Sequence, residues 1–475
     1  MTFVSFSYLF LFLPIVVGLY YLFRTSILAN FVILAASYLF YGASGLWFLI
    51  PLMITSLIDF YVGLNLVYAV KWRKTLLAAS LTANLGLLAF FKYTPWLTSS
   101  INEGLVAAGL SAALPVLAVT LPPGISFYTF QTMSYTIEIY QRQMKPTRDL
   151  VSYMAFVTFW PHLVAGPIMR ARNLLAQLET IRPVISKEDA CYSLLLISWG
   201  LFKKIVLADN FGHIVDTLDW QVGLGVLWPG RGLLFAYAFA GQIYCDFSAY
   251  TDIARGSAKL IGVDLIRNFH TPYFAVSPSD FWHRWHISLS TWLRDYLYIP
   301  LGGNRFGRLM EFRNLMITMV LGGLWHGAST LMIAWGFWHG ALLVLHRVLP
   351  LDALLVRRLG TAGKWLSILI TFHLVCFGWI LFRAQPATLG PILSTIPALF
   401  SATNLVLFKL FGQGVAFLGI VTLLADYIGY RKSSEFGDLL KKLNPYWGAL
   451  FVVACYLGIT ILGKREGTQF IYFQF

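Results

Sequence analysis

The sequence predicts an all-α fold, a polytopic bundle of transmembrane helices. Of its 475 residues, 58% are hydrophobic and only 12% are charged, whereas a soluble domain carries about 25% charged residues. Apolar stretches such as Val4–Phe23 and Leu366–Phe382 recur along the chain. We count roughly 10 to 12 stretches that approach the 20 or so residues needed to cross a bilayer. No linker or repeat divides them, so we expect one membrane-embedded domain over residues 1–475.

Proline and glycine interrupt several of these apolar stretches. Leu121–Gly124, with the sequence Leu-Pro-Pro-Gly, breaks one of them, and Trp160–His162, with the sequence Trp-Pro-His, breaks another. A broken helix at membrane depth is tolerated only where other protein or a wet cavity satisfies the freed backbone groups. We therefore expect a hollow bundle with re-entrant pieces.

The formal net charge of +14 collects in short loops between the apolar stretches. This pattern is typical of the positively charged cytoplasmic loops of membrane proteins, so we expect a membrane and no nucleic acid as the partner. One or two clusters could instead contribute to binding an anionic cytosolic cofactor. The clusters are Lys71–Lys74, Arg142–Arg148, Arg305–Arg313 and Arg357–Lys364.

The longest polar stretch, Arg255–Arg313, is dense in tryptophan, histidine and arginine. Within it, a serine-proline start and a later proline predict one amphipathic helix over Ser277–Ile299. On a helical wheel, His286 falls at the edge of the apolar face that carries Trp282, and His283 falls toward the polar face. We therefore expect His286, rather than His283, to face an interior chamber.

A further histidine, His326, lies in the glycine-rich apolar segment Leu321–Gly327. An imidazole shielded from water stays largely neutral and can act as a base near pH 7. The alternative is a core histidine bonded to a backbone carbonyl, although the adjacent glycines favour a cavity. His339 follows 13 residues later, which would rotate a continuous helix by about 220°. His339 would then not face the same chamber, and we expect it to be structural or to lie at the far membrane face.

Two carboxylates, Asp246 and Asp252, lie in or next to an apolar stretch. Carboxylates inside a membrane are usually paired or functional, and nearby tyrosine and serine hydroxyls favour a buried hydrogen-bond network. We expect no metal site and no disulfide, because no His-Glu-x-x-His pattern and no Cys-x-x-Cys pair is present. Serine hydrolase chemistry is not predicted, because the Gly-x-Ser-x-Gly pattern is absent.

Several motifs together resemble the membrane-bound O-acyltransferases of the alginate O-acetylation type. The tryptophan- and histidine-rich run is highly specific, whereas each shorter motif alone would be weak evidence of kinship. All of them occur in the order found in that family, and the likeness spans nearly the whole chain. The motifs are Phe281–Arg305, Pro122–Tyr128, Pro161–Pro167, Asp246–Ser248 and Leu324–Gly327.

The resemblance implies a helical bundle with re-entrant pieces around a central tunnel. It implies that His326 is the essential catalytic histidine and that His286 occupies the second conserved polar position. It also implies acetyl-CoA as the acyl donor, entering from the cytosol, and a separate extracytoplasmic transferase of esterase (SGNH-like) fold as a partner. His283 stands where the family pattern has an arginine, and this change should matter little on the polar side of a helix.

From these observations we expect an O-acetyltransferase of the cell inner membrane that serves an extracytoplasmic polysaccharide such as alginate or peptidoglycan. Two alternatives remain open. One is a transporter or flippase without chemistry, which would be expected to show inverted repeats and paired charges at mid-membrane. The other is a family member that acylates a lipid or a protein, against which the histidine at position 286 argues.

The chain closes on the aromatic segment Phe470–Phe475. One interpretation is an anchor packed against the bundle or the membrane interface. The other is that Tyr472, the only hydroxyl of the segment, accepts the acetyl group from the thioester and passes it to the partner. The segment resembles a C-terminal aromatic motif of relatives that acylate the cell envelope, which favours the relay. We therefore place Tyr472 with His326 and His286 among the catalytic candidates.

Overall fold

The structure, a computed structural model, describes residues 1–25, 28–111, 114–115, 119–218, 231–383, 405–464 and 470. All regular secondary structure within these residues is helical, as predicted. The α-helices are α1 Leu13–Phe23, α2 Leu28–Gly42, α3 Leu49–Tyr68, α4 Arg73–Ala107, α5 Ile125–Tyr140, α6 Leu150–Thr158, α7 Ala171–Leu178, α8 Lys187–Phe202, α9 Asp209–Leu218, α10 Arg231–Lys259, α11 Pro278–Arg284, α12 Ile287–Leu293, α13 Arg308–His326, α14 Thr330–Val348, α15 Leu351–Arg383, α16 Leu405–Arg431, α17 Phe436–Leu439 and α18 Pro445–Leu462.

Short segments of other helical types join several of these helices. Three are π-helical, namely Ser7–Phe12, Lys203–Ala208 and Arg294–Tyr298, and four are 3₁₀ turns, namely Leu46–Phe48, Val70–Trp72, Pro272–Phe274 and Leu440–Lys442.

Seven helical segments among the described residues are long and apolar enough to cross a membrane. Two shorter apolar segments, Ser7–Phe23 and Leu28–Gly42, accompany them. This confirms a multi-pass membrane protein, although seven is fewer than the roughly 10 to 12 stretches counted from hydropathy. Helix α5 explains part of the difference, because its 16 residues bury Gln131 and Glu138 inside the protein.

The described residues form two compact units. The first comprises Met1–Ser193 and Ala254–Ile266, and the second comprises Leu194–Ile253 and Arg267–Phe475. Membrane-crossing segments occur in both units. A single domain over residues 1–475 stays a prediction.

Both predicted interruptions occur in the first unit. Leu121–Gly124 precedes α5, and an irregular segment that includes Trp160–His162 follows α6. The two meet at Gly124, whose φ of 73° is left-handed and where a Cβ atom would lie 2.5 Å from the carbonyl oxygen of Leu163. Glycine is therefore required there both by the backbone conformation and by the close approach of the second segment.

In the second unit, the predicted continuous helix over Ser277–Ile299 is wrong. The helix starts as expected, with the Ser277 hydroxyl oxygen accepting a 3.2 Å hydrogen bond from the backbone N–H of Asp280. It ends at Arg284, Trp285 is extended, and His286 adopts a left-handed conformation with φ 43° before α12 begins. The helical wheel therefore does not apply across this bend, which sets the direction of His286.

The helix is not continuous from His326 to His339, so the rotation of about 220° does not apply. Helix α13 ends at His326 because Gly327 is extended, and α14 begins at Thr330. The two helices pack so closely that a Cβ atom at Gly323 would contact the carbonyl oxygen of Met332. The glycines beside His326 therefore include one that permits close helix packing, and not only residues that line a cavity.

Candidate active site

His286 and His326, the two histidines singled out by the sequence, lie side by side in the second unit. Their ring centroids are 6.2 Å apart. Both are buried, with exposed fractions of 0% for His286 and 5% for His326. The bend before α12 supplies one ring and the end of α13 supplies the other, so two interruptions of regular helix build the pair.

Aromatic side chains enclose the pair. The His286 ring lies 4.7 Å from the ring of Phe247, edge to face, and 6.0 Å from Trp325. The His326 ring lies 5.2 Å from Trp335 and 5.3 Å from Phe382. Burial among these groups lowers the pKa of His286 to about 3. His286 is therefore a neutral imidazole at physiological pH, with one ring N–H to donate and one nitrogen to accept.

His339 lies closer to this site than the helical rotation predicted. Its ring is 4.8 Å from Trp335, which in turn contacts His326. It is buried, and its Nε2 atom faces Gly378, where a Cβ atom would lie 2.7 Å away. Because α13 and α14 form a hairpin, His339 belongs to the same aromatic cluster as His326.

His283 is separated from the pair, as the sequence led us to expect, although for a different reason. It is exposed on α11, and its Nδ1 atom lies 2.6 Å from the carbonyl oxygen of Ser279. The bend at Trp285 and His286, rather than the far side of one helix, sends the two histidines in different directions.

The predicted buried network at Asp246 and Asp252 is confirmed, with lysines as its main partners. Lys204 Nζ lies 3.0 Å from an oxygen of Asp246 and 2.8 Å from one of Asp209. Lys203 Nζ lies 2.7 Å from Asp252. This pairing was not predicted from the sequence, although two adjacent lysines inside an apolar stretch are costly in a membrane and could have indicated it.

The network holds α10 in a position that serves the site. Phe247, the residue after Asp246, packs against His286. The ion pairs of Asp246 and Asp252 anchor the polar side of α10 to the π-helical segment Lys203–Ala208. Paired buried charges are retained only with good geometry, so this segment fixes the wall of the site.

Phe470, the described residue of the C-terminal segment, lies at the same wall. Phe470 is buried, and its ring centroid lies 3.9 Å from Tyr250 and 6.3 Å from Phe247. Phe247 therefore contacts His286 and Phe470 at once. Tyr472 lies outside the described residues.

A cavity of about 220 Å³ lies along α12. Its lining includes Trp282, Ile287, which is the neighbour of His286, and the arginines Arg294 and Arg347, but neither His286 nor His326. Seven residues of helix separate Ile287 from Arg294, or about 10 Å. Both arginines have acidic partners, since Arg294 pairs with Asp295 at 2.7 Å and Arg347 with Glu311 at 3.1 Å. The cavity is therefore mainly apolar, with two paired arginines in its lining.

No group of three histidine, cysteine or carboxylate side chains within the described ranges is arranged to hold a metal ion. The four cysteines, Cys191, Cys245, Cys376 and Cys455, are unpaired by disulfides.

Comparisons with known proteins give a consistent assignment. The model of the membrane-bound O-acyltransferase family matches residues 33–351. A Pseudomonas putida protein named "Probable alginate O-acetylase" is 36% identical, over 100% of both chains. A peptidoglycan O-acetyltransferase of Helicobacter pylori is 33% identical over 74% of this chain and 70% of its own. A teichoic acid D-alanyltransferase of Bacillus subtilis is 28% identical over 55% of this chain and 69% of its own.

Proposed function

The chain belongs to the membrane-bound O-acyltransferase family, and we propose that it moves acetyl groups from cytosolic acetyl-CoA across the cell inner membrane for O-acetylation of an extracytoplasmic polysaccharide. The observation that carries this proposal is the buried pair of His286 and His326, 6.2 Å apart in an aromatic enclosure.

The physical problem for such an enzyme is distance. The hydrocarbon core of a bilayer is about 30 Å thick, so a cytosolic thioester and an outer acceptor cannot meet without a passage through the protein. The cavity along α12 supports donor entry, because its lining includes both paired arginines and Ile287, the neighbour of His286. Its apolar lining suits an uncharged thioester arm, and its basic residues are typical of the cytoplasmic side.

The chemistry assigned to the pair is acyl transfer with general base catalysis. His326 takes the proton of the attacking hydroxyl as the oxygen bonds to the thioester carbonyl carbon. His286, held neutral by burial, donates its ring N–H to the carbonyl oxygen as negative charge develops there. The intermediate then collapses, the carbon–sulfur bond breaks, and the CoA thiolate takes the proton held by His326.

The attacking hydroxyl in this proposal belongs to Tyr472. Support comes from Phe470, two residues earlier, which is buried against Tyr250 and Phe247 on the wall of the site. Because two residues span at most about 7 Å of chain, we take the hydroxyl two residues after this anchor as the acceptor. The acetyl-tyrosine ester then passes its acetyl group to a nucleophile of an extracytoplasmic SGNH-like transferase, which acetylates the polymer.

The alternatives are less well supported. A transporter without chemistry does not fit membership in an acyltransferase family. Acylation of a lipid or a protein is disfavoured because the similar proteins are named for alginate, peptidoglycan and teichoic acid, all of them polymers. An anchor without a covalent role remains the competing interpretation of the terminal segment.

The test compares Tyr472→Phe with Phe473→Leu in cells that make the acetylated polymer. Tyr472→Phe keeps the ring and removes only the oxygen, so the relay predicts loss of polymer acetylation, while Phe473→Leu retains it. Mass spectrometry of the C-terminal peptide should show trapped acetyl in the Phe473→Leu protein and none in Tyr472→Phe. Full polymer acetylation by Tyr472→Phe would leave the segment as an anchor only.

A further inference from the structure

A second, larger cavity in the same unit lies on the other face of α11. Its volume is about 690 Å³, and its lining includes Asp280 and Arg284 of α11, Lys364 and Trp365 of α15, and Tyr430 and Arg431 of α16. The cavity along α12 is lined instead by Ser279, Trp282 and His283 of α11. We name the larger space the basic pocket. Its volume is within the range of about 300–1,000 Å³ typical of small-molecule sites.

Charge is unbalanced in the basic pocket. Asp280, its acidic lining residue, is already paired with Arg284 at 2.7 Å. Lys364 and Arg431 have no carboxylate partner among the described residues, and Lys364 Nζ instead lies over the Tyr430 ring at 5.0 Å. Two cations therefore face the cavity without a counter-charge. An anion bound between them would form favourable charge-assisted hydrogen bonds with both.

Arg284 is held in place before any ligand arrives. Its Nε donates to Asp280, and its Nη1 donates to the carbonyl oxygen of His270 at 3.3 Å and to the hydroxyl of Thr271 at 3.2 Å. Its Nη2 makes no hydrogen bond to the described part of the chain. A guanidinium fixed through two of its nitrogens and open at the third loses little conformational entropy when it binds an anion.

Aromatic rings form one wall of the pocket. Phe274 stacks on Tyr430 at 5.0 Å, Trp365 lies 6.3 Å from Phe274, and 6.4 Å separates Trp365 from Tyr430. Trp365 is 43% exposed despite its size. A flat apolar wall beside two unpaired cations matches a ligand with a phosphate group and an apolar or planar portion.

We propose that the basic pocket binds a phosphate-bearing ligand. The phosphate lies between Lys364, Arg431 and the open nitrogen of Arg284, and the rest of the ligand contacts Trp365 and Tyr430. Two sources share this chemistry, a soluble nucleotide and the headgroup of an anionic phospholipid. The basic residues that surround the pocket place it on the cytoplasmic side under the positive-inside rule, where both are present.

The test measures binding by the purified full-length protein. Because the first probe is also the nucleotide portion of CoA, polymer acetylation by the test variant is measured beside binding, and loss of binding with retained acetylation separates this pocket from the proposed donor site. The test variant is the double substitution Lys364→Gln with Arg431→Gln. The matched control is Arg357→Gln with Arg358→Gln, which removes the same charge from exposed positions of α15 outside the pocket. The first probe is adenosine 3′,5′-bisphosphate, titrated by calorimetry. The second is phosphatidylglycerol, whose retention from mixed nanodiscs with phosphatidylcholine is measured by native mass spectrometry.

Because both unpaired cations are removed, the test variant should bind its ligand at least roughly tenfold more weakly than the control. If the test variant loses bisphosphate binding and Trp365→Leu also weakens it, the ligand is a nucleotide. If the test variant loses phosphatidylglycerol retention and Trp365→Leu retains the lipid normally, the ligand is a lipid headgroup. Equal binding of both probes by the test and control variants overturns the proposal, provided that both elute as folded protein.

Discussion

Substituting Gly336 with alanine tests whether close packing of α13 against α14 sets the catalytic geometry. A Cβ atom at Gly336 would lie 2.8 Å from Cα of Val320 and would also contact the carbonyl oxygen of Met319. Both neighbours are backbone atoms, so no side chain can rotate away. Gly336 follows Trp335, which contacts His326, and the displaced helix α13 ends on His326 itself.

The expected loss of activity in Gly336→Ala can be worked out from the contact distance. Non-bonded carbon atoms pack at about 3.5 Å or more, so the two helices must separate by roughly 0.7 Å at the crossing. Overpacking of this kind costs about 1–3 kcal/mol, against about 1 kcal/mol regained when alanine replaces glycine in a helix. A misplacement near 1 Å can lower a rate by roughly 100-fold. We therefore expect Gly336→Ala to lose roughly 10- to 100-fold in activity while its stability falls only modestly.

Gly340→Ala, one turn further along α14, is the matched control. The atom that its new Cβ atom would approach, at 2.8 Å, is Sδ of Met316, in a flexible side chain that can adjust. It should keep near-normal activity and gain a little stability. The assay is polymer acetylation normalised to the amount of protein in the membrane, with melting temperature measured in detergent. Wild-type activity in Gly336→Ala, or equal losses in both variants, would refute the packing argument.

The remaining predictions concern the histidines. His286→Ala should lower the transfer rate roughly 100- to 1,000-fold, the usual cost of one lost carbonyl-binding donor. His283→Ala should cost far less, because His283 lines the donor cavity but lies outside the histidine pair. Equal losses in a rate assay would mean that the bend does not direct His286 into the site. His339→Ala should lower both activity and melting temperature, because it opens a void beside Trp335. His326→Ala should abolish activity in a protein that still folds. Unchanged activity and melting temperature in His339→Ala would show that His339 does not support His326.

Short sequence patterns predicted the helical class, the membrane location and the two breaks before α5 and after α6. These features depend on local composition and on the backbone limits of proline and glycine, which can be read from neighbouring residues. Candidate histidines could be named in the same way, from apolar surroundings and from a family resemblance.

The geometry of the site depended on information that the local pattern did not contain. The helical wheel failed because His286 adopts a left-handed backbone, φ 43°, in the middle of a sequence with strong helical periodicity. His339 lies in the same aromatic cluster as His326 because Gly327 ends α13 and the chain turns back on itself, so the rotation of one continuous helix does not apply. The partners of Asp246 and Asp252 lie more than 40 positions earlier in the chain, at Lys203 and Lys204, and only the packed structure brings them together.

We propose that His326 drives transfer of acetyl groups from a cytosolic donor to the far side of the membrane. The most direct measurement uses inside-out membrane vesicles from cells that carry the polymer machinery, with labelled acetyl-CoA added to the outer, cytoplasmic face. The wild-type chain should place label inside the vesicles as base-labile esters protected from added esterase. His326→Ala, inserted at equal abundance, should place none. Equal amounts of luminal ester in the two samples would contradict a catalytic role for His326.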